Sequence, residues 1–432
     1  MTSTCGCGPT ADAARSGLMA LTGHRDGPPL TVPPGVITAA RKWATDLARL
    51  TDGKVDLDGP AVLGARAAAE GLERRAPWSV GGHTRAVRTA DGWMAVSLAR
   101  ETDRAAVGAV VSAASGNGDP WVLLGDWAAT RSTHEAVART TLLELPSAAV
   151  PLAPVGSTGR PGVVSRVMPG TGTRCRRRPD DAGAPGLVVD LSALWAGPLC
   201  AHVLGLAGHR VVKVESADRL DASRWGNAEH YAVLHAGQES VVLDFTAERG
   251  REQLRELVGL ADIVIEASRP RALRALGVDP EGTLGEGATW VAITAYGREA
   301  DAGMRVGFGD DVAAGAGAWV RDPSTGEPIP AGDALADPLT GLAAAVAALE
   351  ARARGGRELL DVSMAAVVAE AVGQAVTPVA TAATERAGRW FVTGEHGCEH
   401  EVLAPRSPRG PGGVADPGAD TARVLAELGL PA

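Results

Sequence analysis

Between Leu187 and Thr294 the chain repeats one unit: a short apolar run, a helical segment, then another short apolar run. The runs are LVVD (Leu187–Asp190), RVVKVE (Arg210–Glu215), Ser240–Leu243, Asp262–Ile265 and TWVAIT (Thr289–Thr294). Gly197–Leu206 and Ala247–Leu260 carry helical spacing between them. Short strands that are apolar throughout are buried on both faces, which requires helices above and below the sheet. The pattern therefore predicts an α/β fold, a Rossmann-like parallel sheet domain over residues 186–380. Right-handed crossovers fix its hand.

With 432 residues the chain has room for a second core. Aromatic residues make up only 3% of it, so both cores must be built mainly from Ala, Val and Leu. Upstream, Val36–Leu50 places Ile37, Trp43, Leu47 and Leu50 near helical spacing, and Ala61–Glu73 reads as a second helix. AVRTADGWMAVSL (Ala86–Leu98) reads as two strands around an Ala-Asp-Gly turn, and helices follow around Ala105–Ala114 and Thr133–Leu143. These elements predict a smaller α+β domain at 26–145, behind a partly disordered N-terminus at 1–25. Residues 146–185 are rich in Pro, Gly and Arg and read as a linker. Its Arg174–Arg178 cluster is either solvated or a contact for a phosphate-bearing ligand. Leu339–Arg354 and Ala365–Ala375 flank a turn and strand at Gly355–Met364, and a tail at 381–432 closes on a helix, Thr421–Leu428.

The formal charge of −9 argues against a broad nucleic-acid-binding face. The longest apolar runs, such as Gly341–Leu349, fall well short of the roughly 20 residues that span a bilayer, so no membrane segment is expected. MTSTCGCGPTADAARSG lacks a basic start followed by an apolar stretch, so no secretory signal is expected. Five scattered cysteines fit a reducing, cytoplasmic setting better than a disulfide framework. Cys5-Gly-Cys7 and His396-Gly-Cys398-Glu-His400 lack a second ligand pair at zinc-site spacing, so no metal is expected.

Some residue groups could carry chemistry. Trp195-Ala-Gly-Pro198 opens a helix at the carboxyl end of a strand, where an anion can be held, or it is a plain turn. It is not a GxGxxG, which disfavours a dinucleotide. Lys213, one of three lysines, either pairs with Glu215 or offers a point charge to a phosphate or carboxylate. Asp310 and Asp311 follow Gly307-Phe308-Gly309, and Asp333 and Asp337 lie in PIPAGDALADPLTGL (Pro328–Leu342). Asp337-Pro338 reads as a helix N-cap followed by proline at the first helical position; a nucleophilic carboxylate is the other reading.

VVDLSALWAGPLCAHVLGLAGHRVVKVES (Val188–Ser216), HAGQESVVLDFTAERGREQL (His235–Leu254), ADIVIEASRPRALRALGV (Ala261–Val278), WVAITAYG (Trp290–Gly297), GFGDDVAAGAG (Gly307–Gly317), ADPLTGLAAAVAAL (Ala336–Leu349) and LLDVSM (Leu359–Met364) come in a fixed order. Together they resemble the class III (CaiB/BaiF-type) CoA-transferase family, which includes formyl-CoA transferase and α-methylacyl-CoA racemase. SGLMALTGHRDGPPL (Ser16–Leu30) and VRTADGWMAVSLAR (Val87–Arg100) resemble family segments that normally stand elsewhere, so the small-domain elements are rearranged to the N-terminal side. The resemblance implies transfer of CoA between an acyl-CoA and a carboxylic acid. Asp337 of the D-x-x-[ST]-G pattern, with Thr340 and Gly341, would be the nucleophile and form an aspartyl-CoA intermediate. It also implies that CoA lies along Leu194, Trp195, Lys213, Ala267, Ser268 and Arg274. CoA comes as a substrate rather than a permanently bound cofactor, and the family forms homodimers with interlocked chains. Asp310 stands where the family has Tyr or His, and Ser216 and Ala267-Ser268 replace Arg and Asn-Phe. An acyl-CoA racemase using Asp310 and Asp337, and a non-catalytic acyl-CoA-binding paralogue, are the alternative readings.

Overall fold

The computed structural model describes residues 8–112, 118–152, 160–168, 185–283, 287–373, 377–408 and 413–430. The chain begins with helices α1 (Pro9–Ser16) and α2 (Pro34–Leu50), then a short helix α3 (Ala65–Ala69). The N-terminal segment read as partly disordered is thus helical from Pro9, with Ala11, Ala13 and Ala14 buried. The single helix expected over Ala61–Glu73 is instead two short turns, Gly59–Val62 and α3, split around Gly64. Glycine makes a helix interior costly, so the break falls there.

Strands β1 (Thr84–Arg88), β2 (Trp93–Ser97) and β3 (Ser147–Ala149) form a small antiparallel sheet. The large sheet contains β4 (Val163–Val167), β5 (Leu187–Asp190), β6 (Arg210–Ser216), β7 (Glu239–Leu243), β8 (Ile263–Glu266) and β9 (Thr289–Thr294). A two-stranded ribbon, β10 (Val320–Arg321) with β11 (Pro328–Ile329), precedes its last member, β12 (Glu358–Ser363). Its order is β4-β12-β9-β8-β5-β6-β7. All neighbours pair in parallel except β4, which runs antiparallel along β12. From β5 the chain winds outward through β6 and β7, then returns to the other side of β5 for β8, β9 and β12. That is the doubly wound order, with its reversal point between β5 and β8. Every residue of β5, β8 and β12 is buried, and their acidic residues are paired: Asp190 with Lys213, Glu266 with Arg298, Glu358 with Arg354 and Asp361 with Arg160.

β3 and β4 both come from the stretch read as a linker. At three and five residues they are too short for a period to show against the surrounding Pro and Gly. The Arg174–Arg178 cluster lies outside the described residues. β13 (Thr384–Arg386), β14 (Arg389–Thr393) and β15 (Glu399–Glu401) form a C-terminal sheet within the stretch read as a tail.

Helices α4 (Ala196–Leu206), α5 (Gly309–Gly315), α6 (Ala336–Ala353), α7 (Met364–Val372) and α8 (Thr421–Glu427) complete the frame. The alanine-rich α6 is buried along most of its length and crosses α4 closely. A Cβ added at Gly341 would stand 2.8 Å from the Ala196 carbonyl oxygen and 2.8 Å from the Leu199 side chain. Gly341→Ala should therefore force the helices apart and cost about 1–3 kcal/mol, read as a lowered Tm with helical circular dichroism retained. At the β7 edge, Ser240 N donates to Asp420 Oδ2 (2.9 Å) and Val242 N to Thr421 Oγ1 (3.0 Å), where α8 begins.

Cys398 is disulfide-bonded, which corrects the reading of the cysteines as reduced thiols at that position. Cys5, Cys7 and Cys175 lie outside the described residues, and Cys200 is a buried free thiol. Among the described residues, no helix is long and apolar enough to cross a membrane.

Candidate active site

Asp337 is not the N-cap that its Pro neighbour suggested. α6 begins at Ala336 with Leu335 as the capping residue, so Asp337 is the second helical residue. It is half-buried, and its carboxylate makes no hydrogen bond among the described residues. The loop before it bends through Gly332 (φ 62°) and Ala334 (φ 44°). A left-handed alanine is strained and must be held by its surroundings. The buried Asp310 does so, its Oδ1 accepting from Ala334 N at 3.1 Å. Opposite stands Gly309, the first residue of α5. A Cβ there would sit 2.0 Å from Asp337 Oδ2, so only glycine leaves room for the carboxylate.

Asp310, Asp311, Asp333 and Asp337 therefore share one neighbourhood, and the sequence put all four in Gly-rich loops. Burial pushes the Asp337 carboxyl up to about 7; Arg66 opposes the shift, and Asp310, Asp333 and Asp311 add to it. Burial likewise raises Asp310 to about 6, with Asp333 adding and Arg66 opposing. Asp311 is raised to about 7 by burial, although Ser97 Oγ (2.7 Å) and Phe308 N (2.9 Å) both donate to its Oδ1. Asp333 is fully buried and paired with Arg66, whose Nε lies 2.9 Å from Oδ2 and whose Nη2 reaches Oδ1. Burial works against the Arg66 charge, but Asp333 holds it above its ordinary value.

The carboxyl ends of β5 and β8 lie side by side, with Asp190 facing Ile265. The following loops carry Leu194 and Trp195 on one side and Ala267 and Ser268 on the other, so these four flank the reversal point of the sheet. Leu194 has φ 71°, is 43% exposed, and donates its N–H to Asp221 Oδ2 at 3.1 Å. Trp195 is buried under the Arg66 guanidinium, 5.2 Å from the ring centre, and meets His230 edge-on at 4.9 Å. Ala267 is exposed, Ser268 is half-buried, and Arg274 stands exposed on the next helix, Pro270–Ala275.

Lys213 takes part in a structural ion pair, the first of its sequence readings, but with Asp190 and Asp221 rather than Glu215 as partners. Its side chain is buried, 3.5 Å from Asp190 Oδ2 and 3.4 Å from Asp221 Oδ2, and its Nζ also donates to the Ser192 carbonyl. Glu215 instead pairs with Arg224 and accepts from Asp221 N. The lysine thus braces the 192–194 turn from beneath.

Residues 186–401, half of the chain, match the model of CoA-transferase family III. The chain belongs to CoA-transferase family III. This family III chain is 30% identical over 243 residues to an acyl-CoA transferase of Fusarium pseudograminearum, covering 50% of this chain and 51% of that protein. It is 34% identical over 205 residues to a "probable fatty acyl-CoA transferase" of Mycobacterium tuberculosis, covering 43% of this chain and 50% of the relative. Over 95 residues it is 39% identical to an alpha-methylacyl-CoA racemase of Homo sapiens, covering 22% of each. The chain spans about half the length of the first two relatives.

Arg66, Ser79 and Ser97 lie outside the matched segment, yet all act on the carboxylates: Arg66 pairs with Asp333, Ser97 donates to Asp311, and the Ser79 hydroxyl works against the upward shift of Asp310. No local motif marks them. His230 behind Trp195 was also unread; burial and the nearby Arg66 hold its imidazole down at about 3.

Proposed function

We propose that this family III member transfers CoA between an acyl-CoA and a carboxylic acid, with Asp337 as the nucleophile. The observation that carries the reading is the Asp337 carboxylate, which has no hydrogen-bond partner among the described residues and stands one helical turn from the close approach of Gly341 to Ala196, the first residue of the helix after β5. In this reading the CoA nucleotide lies against Leu194, Trp195, Ala267 and Ser268 with Arg274 at the rim, and Lys213 acts indirectly by bracing the turn. Asp337 Oδ2 attacks the thioester carbonyl, the C–S bond breaks, and the thiolate leaves a mixed anhydride. The thiolate then adds to the Asp337 carbonyl and expels the donor acid, leaving an aspartyl-CoA thioester for the acceptor. The first-turn N–H groups of α5, starting at Gly309 beside Oδ2, are the donors available to each oxyanion. Hydroxylamine trapping with a panel of acyl-CoAs tests the reading: a hydroxamate on Asp337 supports it, and its absence with every donor ends it.

The attacking form is the ionised carboxylate. With the carboxyl raised to about 7, adduct formation should climb with pH through that value, not through the ordinary carboxylate range. Asp310→Asn removes a neighbouring negative charge and should shift the midpoint to lower pH. Single-turnover trapping across pH 5–9 checks both.

A racemase is the second reading, favoured by the adjacent Asp310 and Asp337, two carboxyls that burial holds above the ordinary carboxylate range, where an acid and a base can work. Deuterium entering the α-carbon of an acyl-CoA in heavy water would select it. Residues 26–145 as a transposed small domain, homodimeric assembly and a cytoplasmic setting belong to the transferase reading.

A further inference from the structure

We propose that Arg66 is the receptor for the carboxylate of the acceptor acid, supplied to the site from outside the matched family segment; the inference rests on Asp337 as the nucleophile. The guanidinium is fixed on an edge and a face. Its Nε and Nη2 fork onto Asp333, and one face lies 5.2 Å from the centre of the Trp195 ring. Glu70, one turn along from Arg66, ties this segment to the same wall by accepting from His230 N at 2.8 Å. The third nitrogen, Nη1, has no hydrogen-bond partner among the described residues. The Asp333 side chain is fully buried, whereas that of Arg66 is 18% exposed, so the outer part of the fork is the accessible part.

Charge makes such a receptor necessary. An acceptor acid approaches as an anion, and around Asp337 it meets Asp310, Asp311 and Asp333. Arg66 is the largest charge opposing that field at Asp337. A rigid planar fork already held at its inner edge can take one carboxylate oxygen at little further entropic cost and leave the other free to react. The free oxygen bonds to the Asp337 carbonyl carbon of the aspartyl-CoA. The C–S bond breaks, and CoA leaves as the thiolate with the bonding pair. No proton has to move.

A purely structural Arg66–Asp333 pair would affect stability and leave acceptor binding alone. Calorimetric titration of the full chain with straight-chain mono- and dicarboxylates, in the absence of acyl-CoA, separates the two roles. Arg66→Gln, and the charge-balanced Arg66→Gln/Asp333→Asn should the single variant fold poorly, are expected to weaken carboxylate binding by about 10- to 100-fold. Arg66→Lys should keep part of it. In all three, hydroxylamine should still trap an adduct on Asp337 from acyl-CoA alone at about pH 9, although Arg66→Gln by itself should move the midpoint to higher pH because the charge opposing the Asp337 shift is gone. Unchanged carboxylate affinity in the variants, or no carboxylate binding by the parent protein, overturns the proposal. Failure of the trapping experiment in the parent protein would instead overturn the Asp337 reading, since the titration does not depend on it.

Discussion

Asp337→Asn should abolish CoA transfer, lowering turnover by at least about 10⁴-fold and removing the hydroxylamine-trapped adduct, because an amide cannot form the anhydride. The fold should survive, since the carboxylate has no hydrogen-bond partner among the described residues to lose. Its stability should change in a specific direction with pH. The carboxyl is raised from its ordinary 3.8 to about 7, so the folded protein holds a proton that the unfolded chain gives up earlier. Stability from this group is complete below the ordinary value and is lost as pH rises through about 7. Asp337→Asn should therefore raise the Tm at pH 8 and leave it unchanged at pH 4. An active Asn variant would dismiss the nucleophile.

Lys213→Met is expected to cost about 3–5 kcal/mol, the usual result of removing one partner from a buried ion pair. Asp190 and Asp221 are both buried, and both lean on the lysine charge. Burial raises Asp190 above its ordinary value with Lys213 opposing, whereas Asp221, buried too, ends below its ordinary value through Lys213 and Ser223. Methionine fills the volume but returns neither charge nor the hydrogen bond to the Ser192 carbonyl. Urea unfolding measures the loss, and adding Asp221→Asn should recover part of it. A loss below 1 kcal/mol would show that the two carboxylates find other partners.

The parallel sheet and the surroundings of Lys213 show what sequence reading reaches in this chain and what it does not. The parallel strands were legible because a strand buried on both faces shows no regular polar alternation: β5 and β8 are apolar up to one acid at the carboxyl end, and the polar residues of β12 do not alternate. Asp337 was singled out by the D-x-x-[ST]-G pattern and the order of the segments around it, whereas its local reading as an N-cap failed because the helix begins one residue before it, at Ala336. The ion pair of Lys213 was legible but its partners were not, because they come from the ends of different elements: Asp190 closes the neighbouring strand and Asp221 follows in a loop. Arg66, Ser79 and Ser97 were invisible for the same reason at longer range. Ser97 and Asp311 are 214 positions apart and Arg66 and Asp333 267, so only the folded chain brings them together. β3 and β4 failed for a third reason, being too short to show a period.

An uncovered strand at the side of a sheet is a template on which a second chain can polymerise. At β7 the Ser240 and Val242 N–H groups are already taken by Asp420 and Thr421, and at the far side β4 presents only five residues running against the rest. A growing fibre finds little to extend at the β7 side, and only five residues at the other. The β7 side of the sheet is thus shielded from backbone pairing with another copy, a protection that owes nothing to the chemistry at Asp337.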